Sequence, residues 1–454
     1  MRFDGFEDML SHWAWAAPES TALIDNDTTC TYAELLRRVR ARAETLRRDG
    51  GTSMGLLCGG GADCVVTLFG AVAAGMQLVL LDADAPEALL REQIAYTDVD
   101  RLCGEGALCK ALSDALSPGL APGAGRGKVL FFTSGTTSRA KAVVLTERSL
   151  CASAWNGGSL LPLSGNDVLL SMLPLDHVFG FVCGLLWGLS SGAAVALGRG
   201  RRRYAEDCGF YQPTALAAVP ALLRYLVKNR CLGDSLRTVL VGAGDCPWAL
   251  LKAVEAMGIR VSYGYGLTET SSGVALSTGE DLLAMELCPD AAVEIAPDGE
   301  ILIRCPDCMF EGYYKHPEAT AAVLQNGVLH SGDLGELDAA GRLRVTGRKK
   351  EILVLADGSK LFLPEYEKDL ARALETSELA VALRRGSPAL VLPEGAMERA
   401  VVMARLAPQM ELLPPAQRLR ELIYHDGPLP RTSSGKLKRW QLQQETPAQG
   451  GNEP

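Results

Sequence analysis

The chain has 454 residues, 48% of them hydrophobic, enough to build large buried cores in about two to four domains. A formal net charge of −9, from 45 cations and 54 acids, argues against non-specific nucleic-acid binding as a main role. Thirteen cysteines, with Asp4, Glu7 and Asp8 standing where a secretory signal needs cations and an apolar run, lead us to expect a reducing, cytoplasmic setting without disulfides.

From Thr31 to Gly266 apolar strands alternate with helical segments. Thr31 offers a capping hydroxyl to an amphipathic helix over residues 32–48. Residues 65–81 and 179–198 are uncharged, yet glycines, Gln77, Ser190 and Ser191 interrupt them, so we expect no transmembrane segment. Each reads as a buried helix followed by a buried parallel strand. The alternation predicts an α/β fold: a large N-terminal domain of stacked, doubly wound α/β layers. From Ala292 onward, short strands at residues 300–303 and 342–345, bounded by Asp298-Gly299 and Gly341, predict a small β subdomain that ends this domain. Past Lys350 a small α+β unit follows, with a helix over residues 365–374 and a polar, disorder-prone tail from Glu445. We therefore place the domains at residues 1–348 and 349–454.

The most informative stretch is Phe131-Phe132-Thr133-Ser134-Gly135-Thr136-Thr137-Ser138-Arg139-Ala140-Lys141, an apolar strand opening into a hydroxyl-rich loop that ends in a cation. Backbone N–H groups, threonine hydroxyls and an ammonium group suit a polyphosphate. It is not the P-loop of NTPases, because Ala140 precedes Lys141 and Ala142 follows it. Downstream, Ser262-Tyr263-Gly264-Tyr265-Gly266-Leu267-Thr268-Glu269-Thr270 reads as a strand running into a glycine-punctuated loop that offers a ring, a hydroxyl and a carboxylate. His330-Ser331-Gly332-Asp333-Leu334-Gly335, Val345-Thr346-Gly347-Arg348-Lys349-Lys350-Glu351 and Leu429-Pro430-Arg431-Thr432-Ser433-Ser434-Gly435-Lys436 complete the series. Each is a plausible turn alone; their joint occurrence in this order is specific.

From Phe6 to Leu442 these motifs resemble the adenylate-forming, AMP-binding superfamily of acyl-CoA synthetases, luciferases and peptide-synthetase adenylation domains. The resemblance implies two half-reactions: a carboxylate attacks the α-phosphate of ATP and expels pyrophosphate, then a thiol attacks the acyl-adenylate and expels AMP. It implies ATP, Mg²⁺ and CoA as cofactors and co-substrates. On matching residues, Thr133, Ser134, Gly135, Thr136, Thr137 and Lys141 resemble the clamp for the β- and γ-phosphates. Tyr265, with Gly266 beside it, resembles the ring over adenine, Thr268 the α-phosphate contact and Glu269 the carboxylate that holds Mg²⁺. Asp333 and Arg348 resemble the ribose-binding pair, Lys436 the mobile catalytic lysine of the C-terminal domain, and Lys350 the hinge. Where the family has glycine, proline and glycine around the loop lysine, this chain has Ser138, Ala140 and Ala142, which removes easy access to positive φ and a rigid turn.

Pro174-Leu175-Asp176-His177-Val178-Phe179-Gly180 resembles the segment lining the acyl pocket, with His177 at the carboxylate entry. Gly242, Ala243 and Gly244 resemble the segment between adenine and the acyl group. Phe179, Phe181, Val182, Leu185 and Trp187 suit an apolar tunnel, though residues of this kind more often form core. We expect a small-molecule carboxylic acid, a medium- or long-chain fatty acid, with CoA as acceptor; on that reading Asp176 faces solvent or caps a turn. An acyl-AMP ligase loading a carrier protein, an amino-acid-activating enzyme pairing the substrate ammonium with Asp176, and a catalytically degenerate binding paralogue stay open. Cys305 and Cys308 form a lone CxxC and read as core or surface thiols. Arg199, Arg201, Arg202 and Arg203 read as a solvated basic loop, with an anionic carrier or phosphate as the alternative partner.

Overall fold

The computed structural model describes residues 1–104, 106–133, 141–355, 360–431, 437 and 439–444. The chain divides into two compact units, residues 1–133, 142–331 and 335–345 in the first and 134–141, 332–334 and 346–454 in the second. The first unit carries the predicted α/β layers. One sheet has nine strands in the order Glu286–Leu287, Ser272–Leu276, Arg260–Leu267, Thr238–Val241, Ala215–Ala218, Val168–Ser171, Ala194–Leu197, Thr21–Asp25, Thr28–Thr31. Its middle pairings are parallel and its outermost ones antiparallel. A second sheet orders Gly312–Tyr313, Ala142–Thr146, Lys128–Phe132, Gln77–Leu81, Ser53–Leu57, Arg101–Cys103. A smaller five-stranded sheet, containing Ala292–Ile295, Glu300–Arg304 and Val328–Leu337, follows where the short-strand pattern begins.

Local chemistry explains the elements. Thr31 Oγ1 accepts the Glu34 N–H at 3.2 Å and starts the helix Tyr32–Asp49. That helix buries Leu35, Leu36, Val39, Ala43 and Leu46, the stripe its periodicity requires. The uncharged run at 65–81 falls on the helix Ala62–Ala73 and the buried strand Gln77–Leu81. The second falls on a helix from Val178 to Ser190, interrupted by a π-helical stretch at Val182–Leu186, and on the strand Ala194–Leu197. Among the described residues no helix is long and apolar enough to cross a membrane.

Two expectations need correction. Arg199 does not belong to a solvated loop: its Nε pairs with the fully buried Asp207 at 2.7 Å and its guanidinium lies 4.0 Å over the Phe210 ring. A charged residue tolerates this burial because its partner is buried with it; Arg202 and Arg203 are exposed as expected. The Tyr263 to Gly266 segment is not loop either, since the strand Arg260–Leu267 runs through it. Cys305 and Cys308 are buried, and burial pushes the Cys305 thiol up to about 12, which marks an inert core sulfur.

The second unit packs the helix Leu363–Leu374 on the strands Ala380–Arg384, Ser387–Pro393 and Glu421–His425. Pro364 in its first turn starts that helix two residues before the predicted position. Arg439 grips Glu367 through two parallel contacts, 2.6 and 2.7 Å, and so ties the C-terminal helix Arg439–Gln444 to it.

Candidate active site

In the first unit the strand Arg260–Leu267 pairs antiparallel with Ser272–Leu276, with an irregularity between Tyr265 and Gly266. A Cβ on Gly266 would lie 1.5 Å from Ser272 O, so only glycine lets the two backbones approach this closely. The strand ends in a single 3₁₀ turn, Thr268–Thr270. Thr270 Oγ1 accepts the Leu267 N–H at 3.1 Å, and Ser271 and Ser272 follow with φ of 51° and 108°. Those are sparsely populated conformations for residues with a side chain. They are held in place by the buried Ser271 hydroxyl, 2.8 Å from Cys308 O and 3.0 Å from Ser149 Oγ. The result is a rigid turn that presents Tyr265, Thr268 and Glu269, all half-buried, at the end of a strand.

Glu269 is fixed at both ends. Its main-chain oxygen accepts the Phe310 N–H at 2.9 Å, and its Oε1 accepts the Tyr313 hydroxyl at 2.6 Å. Burial, with Glu269 adding to it, pushes the Tyr313 phenol above its ordinary range. Among the described residues of the first unit no cation lies within ion-pair distance of this carboxylate.

Thr133 follows the strand Lys128–Phe132, and Lys141 directly precedes Ala142–Thr146; the two strands pair so that Phe132 opposes Ala142. Ala142 is fully buried in regular strand, so glycine is not required there. Ser134, Gly135, Thr136 and Thr137 lie outside the described residues.

Gly242, Ala243 and Gly244 leave the strand Thr238–Val241, with Ala243 exposed at φ 62° and Gly244 O accepting the Tyr263 hydroxyl at 3.0 Å. A Cβ on Gly242 would meet the Phe179 ring at 2.9 Å, so that ring lies directly on the glycine. Phe179 is half-buried, whereas Phe181, Val182, Leu185 and Trp187 are core. The tunnel reading therefore holds at most for Phe179. His177 begins the helix, and Gly180 is tucked so close to Pro174 O that a Cβ would lie 2.1 Å away. Asp176 does not face solvent as expected: it is 7% exposed. Hydrogen bonding to Cys64 and burial push the Cys58 thiol up, and the negative charge of Asp176 adds to that rise.

In the second unit Asp333 is 2% exposed and its Oδ1 pairs with Arg348 Nε at 2.7 Å. Arg348 ends the strand Leu343–Arg348; a Cβ on the preceding Gly347 would lie 2.2 Å from the Phe362 ring. The main chain of Lys350 lies in the 3₁₀ turn Lys349–Glu351. Lys436 lies outside the described residues; on either side of it Arg431 and Leu437 form an antiparallel bridge. Tyr313 had no signal in the sequence, because its contact is with a residue 44 positions away.

A family model described as AMP-binding enzyme matches residues 10–121 and 122–314. The chain is 27% identical over 414 residues to 2-succinylbenzoate–CoA ligase of Bacillus subtilis, covering 82% of this chain and 84% of that one. It is 32% identical over 342 residues to a Mycobacterium tuberculosis CoA ligase for a methyl-dioxo-octahydroindenyl propanoate, covering 69% and 66%. The solved o-succinylbenzoate CoA synthetase of Bacillus subtilis, in complex with its acyl-adenylate intermediate, superposes with a TM-score of 0.83 at 25% identity, covering 98% of this chain and 99% of that one. The motifs, the fold and these likenesses agree, and the chain belongs to the AMP-binding enzyme family.

Proposed function

We propose that the protein is an AMP-forming acid–thiol ligase that activates a carboxylic acid with ATP and transfers the acyl group to CoA. In the first half a carboxylate oxygen bonds to the α-phosphorus and pyrophosphate leaves. In the second the CoA sulfur bonds to the acyl carbon, the thiol proton is lost and AMP leaves. The observation that supports this reading is the rigid turn around Glu269, where the Tyr265 ring at the end of the strand stands three residues before the adjacent hydroxyl and carboxylate of Thr268 and Glu269.

In this reading Tyr265 covers adenine, the Gly242 to Gly244 segment lies between adenine and the acyl group with Gly242 making room for the Phe179 ring, and Thr268 donates to an α-phosphate oxygen. Asp333 accepts the ribose hydroxyls while Arg348 holds it in place. Thr133 and Lys141 belong to the clamp on the outer phosphates, and Lys436 donates to the charge that develops during adenylation. Lys350 sits where the two half-reactions need a hinge. A carboxylate that accepts from a neutral phenol and keeps its charge fits Mg²⁺, which takes one or two carboxylates together with phosphate oxygens and water. Glu269 would hold the ion, which when bound would supply neutralisation of phosphate charge.

For the acid, we infer an apolar, ring-bearing monocarboxylate. The relatives named above act on ring-bearing acids, which favours this class over the fatty acid expected from the sequence. Residues 178–190, the helix that places Phe179 on Gly242, carry no charged side chain to meet a second carboxylate. The same uncharged helix supports a fatty acid as the second reading. Pyrophosphate release measured over aryl, fatty and amino acids, each with and without CoA, tests both. Release driven by a ring-bearing acid, with acyl-CoA formed only when CoA is added, is expected. Release driven only by amino acids, or by no acid at all, contradicts the proposal.

A further inference from the structure

We propose that Tyr313 is a positioning residue for the metal-holding carboxylate of Glu269, an inference that rests on the role given to Glu269 above. The phenol donates to Oε1 at 2.6 Å. Three constraints aim it there. The strand Gly312–Tyr313 pairs antiparallel with Ala142–Thr146, Tyr313 opposing Val143. The Tyr313 N–H is accepted by Thr320 Oγ1 at 2.8 Å, and its ring stands at 65° to that of Phe310 with centroids 5.2 Å apart. Phe310 in turn donates its N–H to the main-chain oxygen of Glu269 at 2.9 Å. Residues 310–313 thus hold both the backbone and the side chain of the carboxylate.

The chemistry of the contact matters. A carboxylate has about four lone-pair sites, and the Tyr313 hydroxyl on Oε1 occupies one of them, so the group can still take a cation. A neutral donor orients the group without cancelling its charge, as a guanidinium would. The strand that supports Tyr313 is also the one that begins directly after Lys141, so the exit of the phosphate-loop segment and the Glu269 turn share one support.

Tyr313→Phe keeps the ring and removes the hydroxyl. Calorimetry should show that the Mg²⁺ concentration needed for half-maximal ATP binding rises by about 10-fold or more, the scale of losing an outer partner of a metal ligand. AMP binding without metal should stay unchanged. An unaltered metal requirement, or an equal loss of AMP and MgATP binding, overturns the inference. Glu269→Gln separates the two levels: if it leaves the metal requirement untouched, the role of Glu269 itself is wrong. If it shifts that requirement and Tyr313→Phe does not, only the inference falls. Should Tyr313→Phe not fold, Thr320→Val loosens the same side chain and should shift the requirement in the same direction by a smaller factor. No shift there overturns the inference equally.

Discussion

Glu269, in the turn that follows a strand, and Asp333, within a strand, are carboxylates that meet partners of different charge. Glu269 accepts a phenol at 2.6 Å; Asp333, 2% exposed, accepts a guanidinium at 2.7 Å. The phenol leaves a full negative charge available, while the guanidinium offsets it. A carboxylate of the first kind suits a divalent cation, and one of the second kind suits neutral hydroxyl donors, for which charge is less important than direction. The Arg348 side chain is 47% exposed, so the pair adds little stability and its value is positional.

The largest effect is expected at the backbone beneath Glu269. Gly266→Ala forces a methyl group against Ser272 O, where 1.5 Å is available, and the paired strands must separate. We expect a loss of about 3 kcal/mol or more, at the upper end of overpacking, and no acid-dependent pyrophosphate release. A stable, active Gly266→Ala protein, by thermal melting and turnover, would show that this turn does not set the site.

Next in size is Lys436→Ala, which should lower acyl-AMP formation by roughly 10²-fold, the scale of one preorganised donor. Transfer from supplied acyl-AMP to CoA should survive; equal loss of both half-reactions, measured separately, removes Lys436 from its role. Lys350→Pro should do the reverse, sparing adenylation and blocking transfer, because proline fixes φ near −65°.

Two smaller effects lie outside the pair of carboxylates. Asp176→Ala should change kcat/KM for a ring-bearing acid by only a few-fold, since an acid without an ammonium group gives this buried carboxylate no substrate charge to pair. If an amino acid drives pyrophosphate release and this substitution abolishes it, the substrate class is wrong and the adenylation chemistry stands. Glu147, which accepts the Phe6 N–H at 2.9 Å, has its carboxyl raised chiefly by burial. A raised folded-state value means the folded protein binds the proton more tightly. The stability this group contributes is complete below the ordinary carboxylate range and is lost as pH rises through the raised value. Glu147→Gln removes that dependence, so its Tm relative to the parent should be more favourable at about pH 7 than at about pH 4. An equal difference at both would show that Glu147 titrates alike folded and unfolded.

Much of this architecture was legible because period and punctuation agreed. Thr31 capped the helix it was expected to cap, and the uncharged runs at 65–81 and 179–198 resolved into helix and strand because glycines and serines separate their two periods. The strand through Gly264 and Gly266 was not legible, because glycine marks both turns and close backbone approach, and only the position of Ser272 O tells them apart. Charge usually means surface, which points Arg199 to a solvated loop and Asp176 to solvent or a turn cap; what buries them depends on the fold. Tyr313 was silent for the same reason, since a hydrogen bond across 44 residues leaves no local pattern.

The division of labour between the two carboxylates is tested most directly by calorimetric titration of the parent, Asp333→Asn and Glu269→Gln with AMP in the absence of metal and with MgATP. Asp333→Asn should weaken both ligands by about 10-fold or more, the range for hydrogen bonds to a charged group. Glu269→Gln should weaken MgATP alone and leave metal-free AMP binding as it was. Equal weakening of AMP and MgATP by Glu269→Gln, or full AMP affinity in Asp333→Asn, would contradict it.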